Sequence, residues 1–189
     1  NGMTFAGRSI GSGEDRICEM VFNTSMTGYQ EILTDPSYAG QGVVMSYPLI
    51  GNYGVNHEDN ESRRPWVEAL VVRHLSPQGS NFRCEDTLDS YLKQYDITGI
   101  QGVDTRALTK ILRSQGSMNG MLTCAEHFNV AEVMERLRSY EVKDTIRRVT
   151  RTEPEVFDAY GEEKHLVAVM DYGVKQNIIE CLRRRGTAA

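Results

Sequence analysis

FNTSMTGYQEILTDPSYAGQGVVMSYPLIGNYG, residues 22–54, contains short apolar runs separated by turn-forming residues. The turn formers are Gly28, Pro36, Gly40, Gly42, Pro48, Gly51 and Gly54. The order Asp35-Pro36-Ser37 is typical of a tight turn. An Asp side chain can bond back to the following backbone, Pro presets φ at the next position, and Ser adds a hydroxyl. The tyrosines of this stretch can bury their rings and keep a polar tip in reach of a partner. The pattern predicts tight connections between core strands.

Two segments of this stretch, SMTGYQEILTDPSYAGQ (residues 25–41) and YPLIGNYGVN (residues 47–56), carry a resemblance to a known family. They resemble the amino-terminal domain of the small, glutamine-hydrolysing subunit of carbamoyl phosphate synthase. SNFR (residues 80–83) and GVDTRALT (residues 102–109) extend the resemblance. It implies an α/β fold, in which residues 1–149 form a three-layer β/β/α domain of the swivelling type.

Composition narrows the class of protein. The chain has 189 residues, 40% hydrophobic and 25% charged, with a net charge of −5. The negative net charge gives no indication of a basic surface that would bind nucleic acid. No apolar run is long enough to span a membrane. Four widely spaced cysteines, without metal-ligand spacing to histidine, suggest reduced thiols and no metal site. We expect a cytoplasmic protein without nucleic-acid or membrane partners. We also expect a strand before Asn1, since the family has one there. Whether a targeting segment precedes it is left open.

The apolar patterns predict a mixed sheet with helices on one side. The predicted strands cover Thr4–Ile10, Ile17–Thr24, Gly42–Tyr47, Trp66–His74, Ile97–Ile100 and Asn119–Cys124. A helical turn is predicted at Tyr29–Leu33, and longer helices are predicted to begin near Asp86 or Thr87, at Asp104 and at Asn129. The last of these should place Val130, Val133, Met134 and Leu137 inward, with Glu132 in a capping box.

The C-terminal part has a different pattern. Residues 150–165 are polar and aperiodic, which indicates a linker. A buried strand is predicted from His165 to Met170, then a turn at Asp171-Tyr172-Gly173 and a helix from Lys175 to Arg185 with Gly186 at its end. This βα unit, residues 166–189, resembles the opening of the family's class I glutamine amidotransferase domain. Because one βα unit cannot bury both of its faces, we expect the native polypeptide to continue beyond Ala189.

In the amidotransferase domain of the family, a Cys attacks the glutamine amide with the help of a His and a Glu. No such triad is recognised here, since Cys181 lies within a predicted helix; we therefore expect no catalytic residue and an inactive fragment. The resemblance implies that the intact small subunit passes ammonia to a large subunit. There ATP and Mg support carbamoyl phosphate synthesis from bicarbonate, for arginine or pyrimidines. The implied partners are L-glutamine and, in a heterodimer, the large subunit.

One site residue follows from the resemblance. The Ser of the Asp-Pro-Ser-Tyr turn contributes to glutamine binding in the family, and here it is Ser37. A hydroxyl on a rigid turn can both donate and accept; the alternative is that it only stabilises the turn. Asp104 is interpreted as a helix cap, and Arg106 as pairing with a carboxylate or a partner. The acidic loop Glu58–Glu61 is either a contact of the large subunit or a solvated surface. The alternative function is a non-catalytic docking module for a large synthetase chain.

Overall fold

A computed structural model describes residues 1–189. The strands are β1 Arg8–Gly11, β2 Arg16–Asn23, β3 Gln41–Met45, β4 Leu49–Ile50, β5 Ala69–Val72, β6 His74–Leu75, β7 Thr98–Gln101, β8 Met118–Leu122, β9 His165–Leu166 and β10 Thr187–Ala188. The helices are α1 Tyr29–Thr34, α2 Leu88–Gln94, α3 Thr105–Gln115, α4 Val130–Ser139, α5 Thr145–Val149 and α6 Gln176–Arg184. None of these helices has the length and apolarity needed to cross a bilayer.

The central sheet has six strands in the order β1-β7-β5-β3-β2-β8. Its four inner strands, β7, β5, β3 and β2, run parallel, while β1 and β8 are antiparallel at the two edges. The innermost strands are the near-continuous apolar runs QGVVM and ALVV, as expected where both faces of a sheet are covered. The predicted mixed sheet and the α/β class are confirmed.

Side chains of the inner strands alternate between two cores. Val43 and Leu70 point to one face, where they pack with α1, α2 and the small β4–β6 sheet. Val44 and Val71 point to the other face, where they pack with α3. Helices therefore cover both faces, and the prediction of helices on one side is wrong. The apolar stripe of a helix predicts that it is buried but not against which face of the sheet.

Several strand boundaries differ from the predictions. The first strand begins at Arg8, so Thr4 to Gly7 lie outside it. The predicted strand Trp66–His74 is divided into β5 and β6, which belong to different sheets. Trp66 itself precedes β5 and is buried in a separate cluster with Ala39 and Val149. An apolar run alone does not show where a chain leaves one sheet for another.

Helix α4 begins at its predicted cap, since the side chain of Asn129 accepts from the backbone N–H of Ala131. Glu132 accepts from the side-chain amide of Asn129 rather than from its backbone N–H, so the predicted capping box does not form. Of the side chains predicted to face inward, Val133, Met134 and Leu137 are half-buried, whereas Val130 is exposed. All four line a cavity of about 480 Å³ between α3, α4 and β8, so they lie on the side of the helix that was predicted.

The C-terminal residues form a βαβ unit. Helix α6 follows the predicted turn, and Gly186 (φ 76°) ends it. β10 pairs in parallel with β9, as a connection through a helix allows. The predicted buried strand 165–170 is wrong in its extent and burial: β9 has two residues, both exposed. With β10 as its single neighbour, this strand has no sheet to be buried in.

Candidate functional site

The Asp35 turn, residues 35–38, follows α1 and forms one turn of 3₁₀ helix over Pro36–Tyr38. Its first residue caps it, because Oδ1 of Asp35 accepts from the backbone N–H of Ser37 at 2.9 Å. Asp35 and Pro36 are buried, whereas Ser37 is exposed. The predicted turn chemistry is confirmed, and the hydroxyl of Ser37 is displayed at the surface on a rigid support.

Tyrosines fix the start of α1. The rings of Tyr29 and Tyr53 stack with centroids 4.2 Å apart. The Tyr53 hydroxyl accepts from the backbone N–H groups of Gly28 at 2.6 Å and Tyr29 at 3.2 Å, which satisfies donors of the first helical turn. Burial is the main reason that the pKa values of both phenols are raised, so both stay neutral. As predicted, the ring of Tyr29 is buried and that of Tyr53 half-buried, while their hydroxyl groups find partners.

The loop of residues 56–64 is bound to the same helix. The N–H of Glu61 donates to Oγ1 of Thr34 at 2.8 Å, and the Ser62 hydroxyl donates to the carbonyl of Thr34 at 2.6 Å. Asn56 is 8% exposed, and its Oδ1 accepts from the N–H groups of Glu58 and Asp59. Asn56 therefore organises the loop from within.

The C-terminal βαβ unit contacts the Asp35 turn directly. Nζ of Lys175, the residue before α6, lies 2.6 Å from Oδ2 of Asp35. The N–H of Gln176 donates to the carbonyl of Glu61 at 2.7 Å. The hydrogen bond with Asp35 is the main reason that the pKa of Lys175 is raised, so the ammonium is retained. The polar turn and the start of α6 thus form one connected surface beside Ser37.

Glycine allows a further close approach at this surface. Gly173 has φ 100°, and a Cβ placed on it would lie 2.9 Å from Cβ of Pro36 and 2.9 Å from Cγ2 of Val149. Both distances are too short for non-bonded carbon atoms, so only glycine fits without displacement of its neighbours. The backbone of the βαβ unit therefore rests directly on the Asp35 turn.

The thiols have structural surroundings. Cys18 is fully buried, and burial raises its pKa to about 12, which opposes formation of a nucleophilic thiolate. Cys181 lies within α6, with its Sγ 3.9 Å from Oδ1 of Asn177. These positions agree with the interpretation of both residues as structural. At the Asp35 turn itself, the group that can bind a polar ligand is the exposed hydroxyl of Ser37, which can both donate and accept.

The cap at Asp104 is confirmed, and the acidic loop has a partner within this chain. Asp104 caps α3, since its Oδ1 accepts from the N–H of Ala107 at 3.0 Å. In the acidic loop, Glu58 and Asp59 each lie 3.1 Å from the guanidinium of Arg83. The sequence reasoning missed Lys175, which approaches Asp35 only through the tertiary fold. A possible signal was its type, because lysine at a helix N-terminus is disfavoured by the helix dipole.

Comparison with known proteins shows the family to which this chain belongs. The sequence model of the family described as "Carbamoyl-phosphate synthase small chain, CPSase domain" matches residues 1–122. The "Carbamoyl phosphate synthase small chain" of Clostridium perfringens is 47% identical over 186 residues, which cover 98% of this chain and 52% of that protein. The "Carbamoyl phosphate synthase pyrimidine-specific small chain" of Bacillus subtilis is 42% identical, covering 98% of this chain and 50% of that protein.

The chain spans about half the length of the curated relatives it matches. The family match covers the six-stranded sheet together with the Asp35 turn. Nearly the whole chain, the βαβ unit included, aligns with relatives of the same name. The chain belongs to the carbamoyl phosphate synthase small chain family.

Proposed function

We propose that this chain is part of a glutamine-hydrolysing small subunit of carbamoyl phosphate synthase. The observation that carries the proposal is the alignment of 98% of the chain with relatives named carbamoyl phosphate synthase small chain. In the proposed reaction, glutamine is hydrolysed to glutamate, and the ammonia is delivered to a large subunit. That subunit, holding ATP and Mg, forms carbamoyl phosphate from bicarbonate.

Within this chain, the proposed glutamine contact is Ser37. Its exposed hydroxyl can donate to the α-carboxylate and accept from the α-ammonium of an amino acid. The cap of Asp35 and the fixed φ of Pro36 restrict the turn, so little conformational freedom is lost on binding. Its place beside the βαβ unit supports a ligand that binds where two parts of the small subunit meet.

The remaining assignments are part of the same proposal. Residues 1–149 form the small-subunit amino-terminal domain, 150–165 a linker, and 166–189 the start of the amidotransferase domain. The large subunit is the partner in a cytoplasmic heterodimer. The product serves arginine or pyrimidine synthesis; the name of the Bacillus subtilis relative supports the latter.

Replacement of Ser37 tests the proposal. In the complete small subunit bound to the large subunit, Ser37→Ala should raise the glutamine KM by about 10-fold or more. The reason is the loss of a hydrogen bond to a charged group, worth about 1.5–3 kcal/mol. The kcat should change little, because the proposed contact is with the α-groups of glutamine and not with the amide that is hydrolysed. Glutamate release is the measurement, with ammonia-dependent synthesis as the control for an intact large subunit.

Two results would contradict this account. A wild-type complex that releases no glutamate would favour a non-catalytic docking module. An unchanged KM in Ser37→Ala would instead leave the hydroxyl as a turn-stabilising group. Ser114→Ala is a matched control, because the Ser114 hydroxyl donates to the carbonyl of Ile111 within α3, away from the Asp35 turn.

A further inference from the structure

We propose that the exposed face of α3 docks onto an acidic surface of the large subunit, through Arg106, Lys110 and Arg113. These three residues are called the α3 basic stripe. The inference rests on the proposed function, since that function supplies the partner. It concerns a part of the molecule other than the glutamine contact at Ser37.

The α3 basic stripe follows from helical spacing. Arg106, Lys110 and Arg113 stand at i, i+4 and i+7 in α3, so they lie along one side of the helix. All three are exposed, whereas Leu108 and Leu112 on the other side pack against the sheet. The outward side of α3 therefore presents a row of cations.

No carboxylate of this chain pairs with the α3 basic stripe. None of its side chains forms an ion pair, and α3 contains neither Asp nor Glu. Asp104, the nearest acidic residue along the chain, caps the helix through the N–H of Ala107. Of the two interpretations of Arg106 from the sequence, pairing with a carboxylate of the chain is thus wrong, and contact with a partner is left.

This arrangement is unfavourable for the helix itself. Side chains three or four residues apart on a helix have Cβ atoms about 5–6 Å apart, and like charges at that spacing repel each other. Arg106 is also in the first turn, where the helix dipole disfavours a cation. A local rule that is broken without compensation inside the chain is typical of a functional surface.

The other helices of seven or more residues show the contrast. In each of α2, α4 and α6, an acidic residue precedes a basic residue by three or four positions, which relieves the repulsion. The pairs are Asp89–Lys93, Glu132–Arg136 and Glu180–Arg183.

Charge complementarity indicates an acidic protein surface as the partner, because facing carboxylates would neutralise all three cations together. Nucleic-acid binding commonly involves about 6–10 phosphate contacts, whereas this chain has a net charge of −5 and groups three cations on α3. A second copy of the chain is a poorer partner, since Glu58 and Asp59 in its acidic loop are already paired with Arg83.

The position of α3 leaves this face open to another subunit. The βαβ unit contacts the Asp35 turn, which follows α1, and α1 packs on the opposite face of the sheet from α3. The part of the chain that leads into the amidotransferase domain is therefore attached away from the α3 basic stripe.

The test measures the affinity of the complete small subunit for the large subunit by analytical ultracentrifugation at several salt concentrations. Lys110→Glu should raise the dissociation constant by about 10-fold at about 0.1 M salt, because an attraction is replaced by a repulsion. The difference from wild type should fall below about threefold at about 0.5 M salt, where exposed charges are screened.

Arg106→Glu separates docking from folding. A glutamate in the first turn suits the helix dipole and stands at i, i+4 to Lys110, so this variant should resist urea at least as well as wild type. Its affinity for the large subunit should nevertheless fall by about 10-fold. A variant that merely damaged the fold would lose both together.

Arg136→Glu is the matched control, because Arg136 is an exposed cation on α4 outside the stripe, and its affinity should stay within about twofold of wild type. Wild-type affinity in both Lys110→Glu and Arg106→Glu would overturn the inference. An equal loss in Arg136→Glu would also overturn it, since net charge alone would then be the cause. Weaker retention of Lys110→Glu on heparin, with subunit affinity unchanged, would overturn it in favour of a nucleic acid.

These failures are distinguishable from failure of the proposed function. In each of them, glutamate release by the wild-type complex would leave the proposed function standing. A wild-type complex that forms but releases no glutamate would overturn the proposed function alone. A small subunit that does not bind the large subunit at all would overturn both.

Discussion

At the scale of single residues, Gln30 explains how a loop without regular structure keeps its shape. The side chain is completely buried on α1. Its Oε1 accepts from the N–H of Asn56 at 3.0 Å, and its Nε2 donates to the carbonyl of Asn56 and to Oδ1 of Asn60. The amide thus pairs with both backbone groups of one residue, as a neighbouring strand would. Through this pairing α1 determines the position of the loop that contacts α6.

We expect Gln30→Met to reduce the free energy of unfolding by about 2–4 kcal/mol. Methionine fills a similar volume but leaves the buried N–H and C=O of Asn56 without partners, each at a cost of about 1–3 kcal/mol. Urea denaturation followed by circular dichroism measures the change. The control is Gln94→Met at an exposed position of α2, which should be nearly neutral. Equal stability of the two variants would show that the buried amide is dispensable.

At the scale of elements, the contact between α6 and the Asp35 turn is made by polar groups and by close backbone approach. The turn before α6 is held by Asp171, whose Oδ1 accepts from the N–H groups of Gly173 at 2.7 Å and Val174 at 2.8 Å. Gly173 then lies against Val149, which packs with Trp66. The single tryptophan of the chain therefore reports on this contact.

Gly173→Ala should disturb the contact and shift the fluorescence of Trp66 to longer wavelength. The added methyl group would overlap Pro36 and Val149, and such overpacking costs about 1–3 kcal/mol in addition to the strain of a positive φ. Gly161→Ala is the matched control, because Gly161 has φ 81° but open space around its Cβ position. If the spectrum shifted equally in both variants, the overlap with Pro36 and Val149 would not be its cause, and backbone strain would explain the shift.

At the scale of the whole molecule, the domain of the six-stranded sheet and the C-terminal βαβ unit are stabilised differently. The six-stranded sheet buries clusters of 15 and 7 residues on its two faces. The βαβ unit leaves Leu166, Met170 and Tyr172 exposed and has few buried side chains. Its attachment therefore depends more on charge. Arg151, which lies between the two parts, is 3.2 Å from Oδ2 of Asp171.

This dependence predicts a loss of stability in acid. Burial of Asp171 opposes its ionisation, but hydrogen bonds from Val174, Gly173 and Arg151 outweigh it and lower the pKa. A carboxyl whose pKa is lower in the folded state stabilises fully above its unfolded pKa of about 3.9, and this stabilisation is lost as the pH falls through the folded pKa. Asp171→Asn should therefore be about 1–2 kcal/mol less stable than wild type at pH 7. The gap should close as the pH falls through the lowered pKa of the folded carboxyl.

Urea denaturation at a series of pH values tests this, with Asp15→Asn as the control. Asp15 is exposed in the connection between β1 and β2, so its variant should match wild type throughout. A gap between Asp171→Asn and wild type that stays constant down to pH 2 would contradict the role of the charge.

The sequence by itself determined the features that depend on neighbouring residues. The capped turn Asp35-Pro36-Ser37, the cap of α3 at Asp104, the apolar strand β3 and the glycine that ends α6 all follow from local backbone and hydrogen-bond preferences. The tertiary structure alone decided that helices cover both faces of the sheet, that β9 is exposed, and that Lys175 reaches Asp35. Contacts between residues far apart in the chain do not appear in the periodicity of the sequence, because they depend on how whole elements pack against each other.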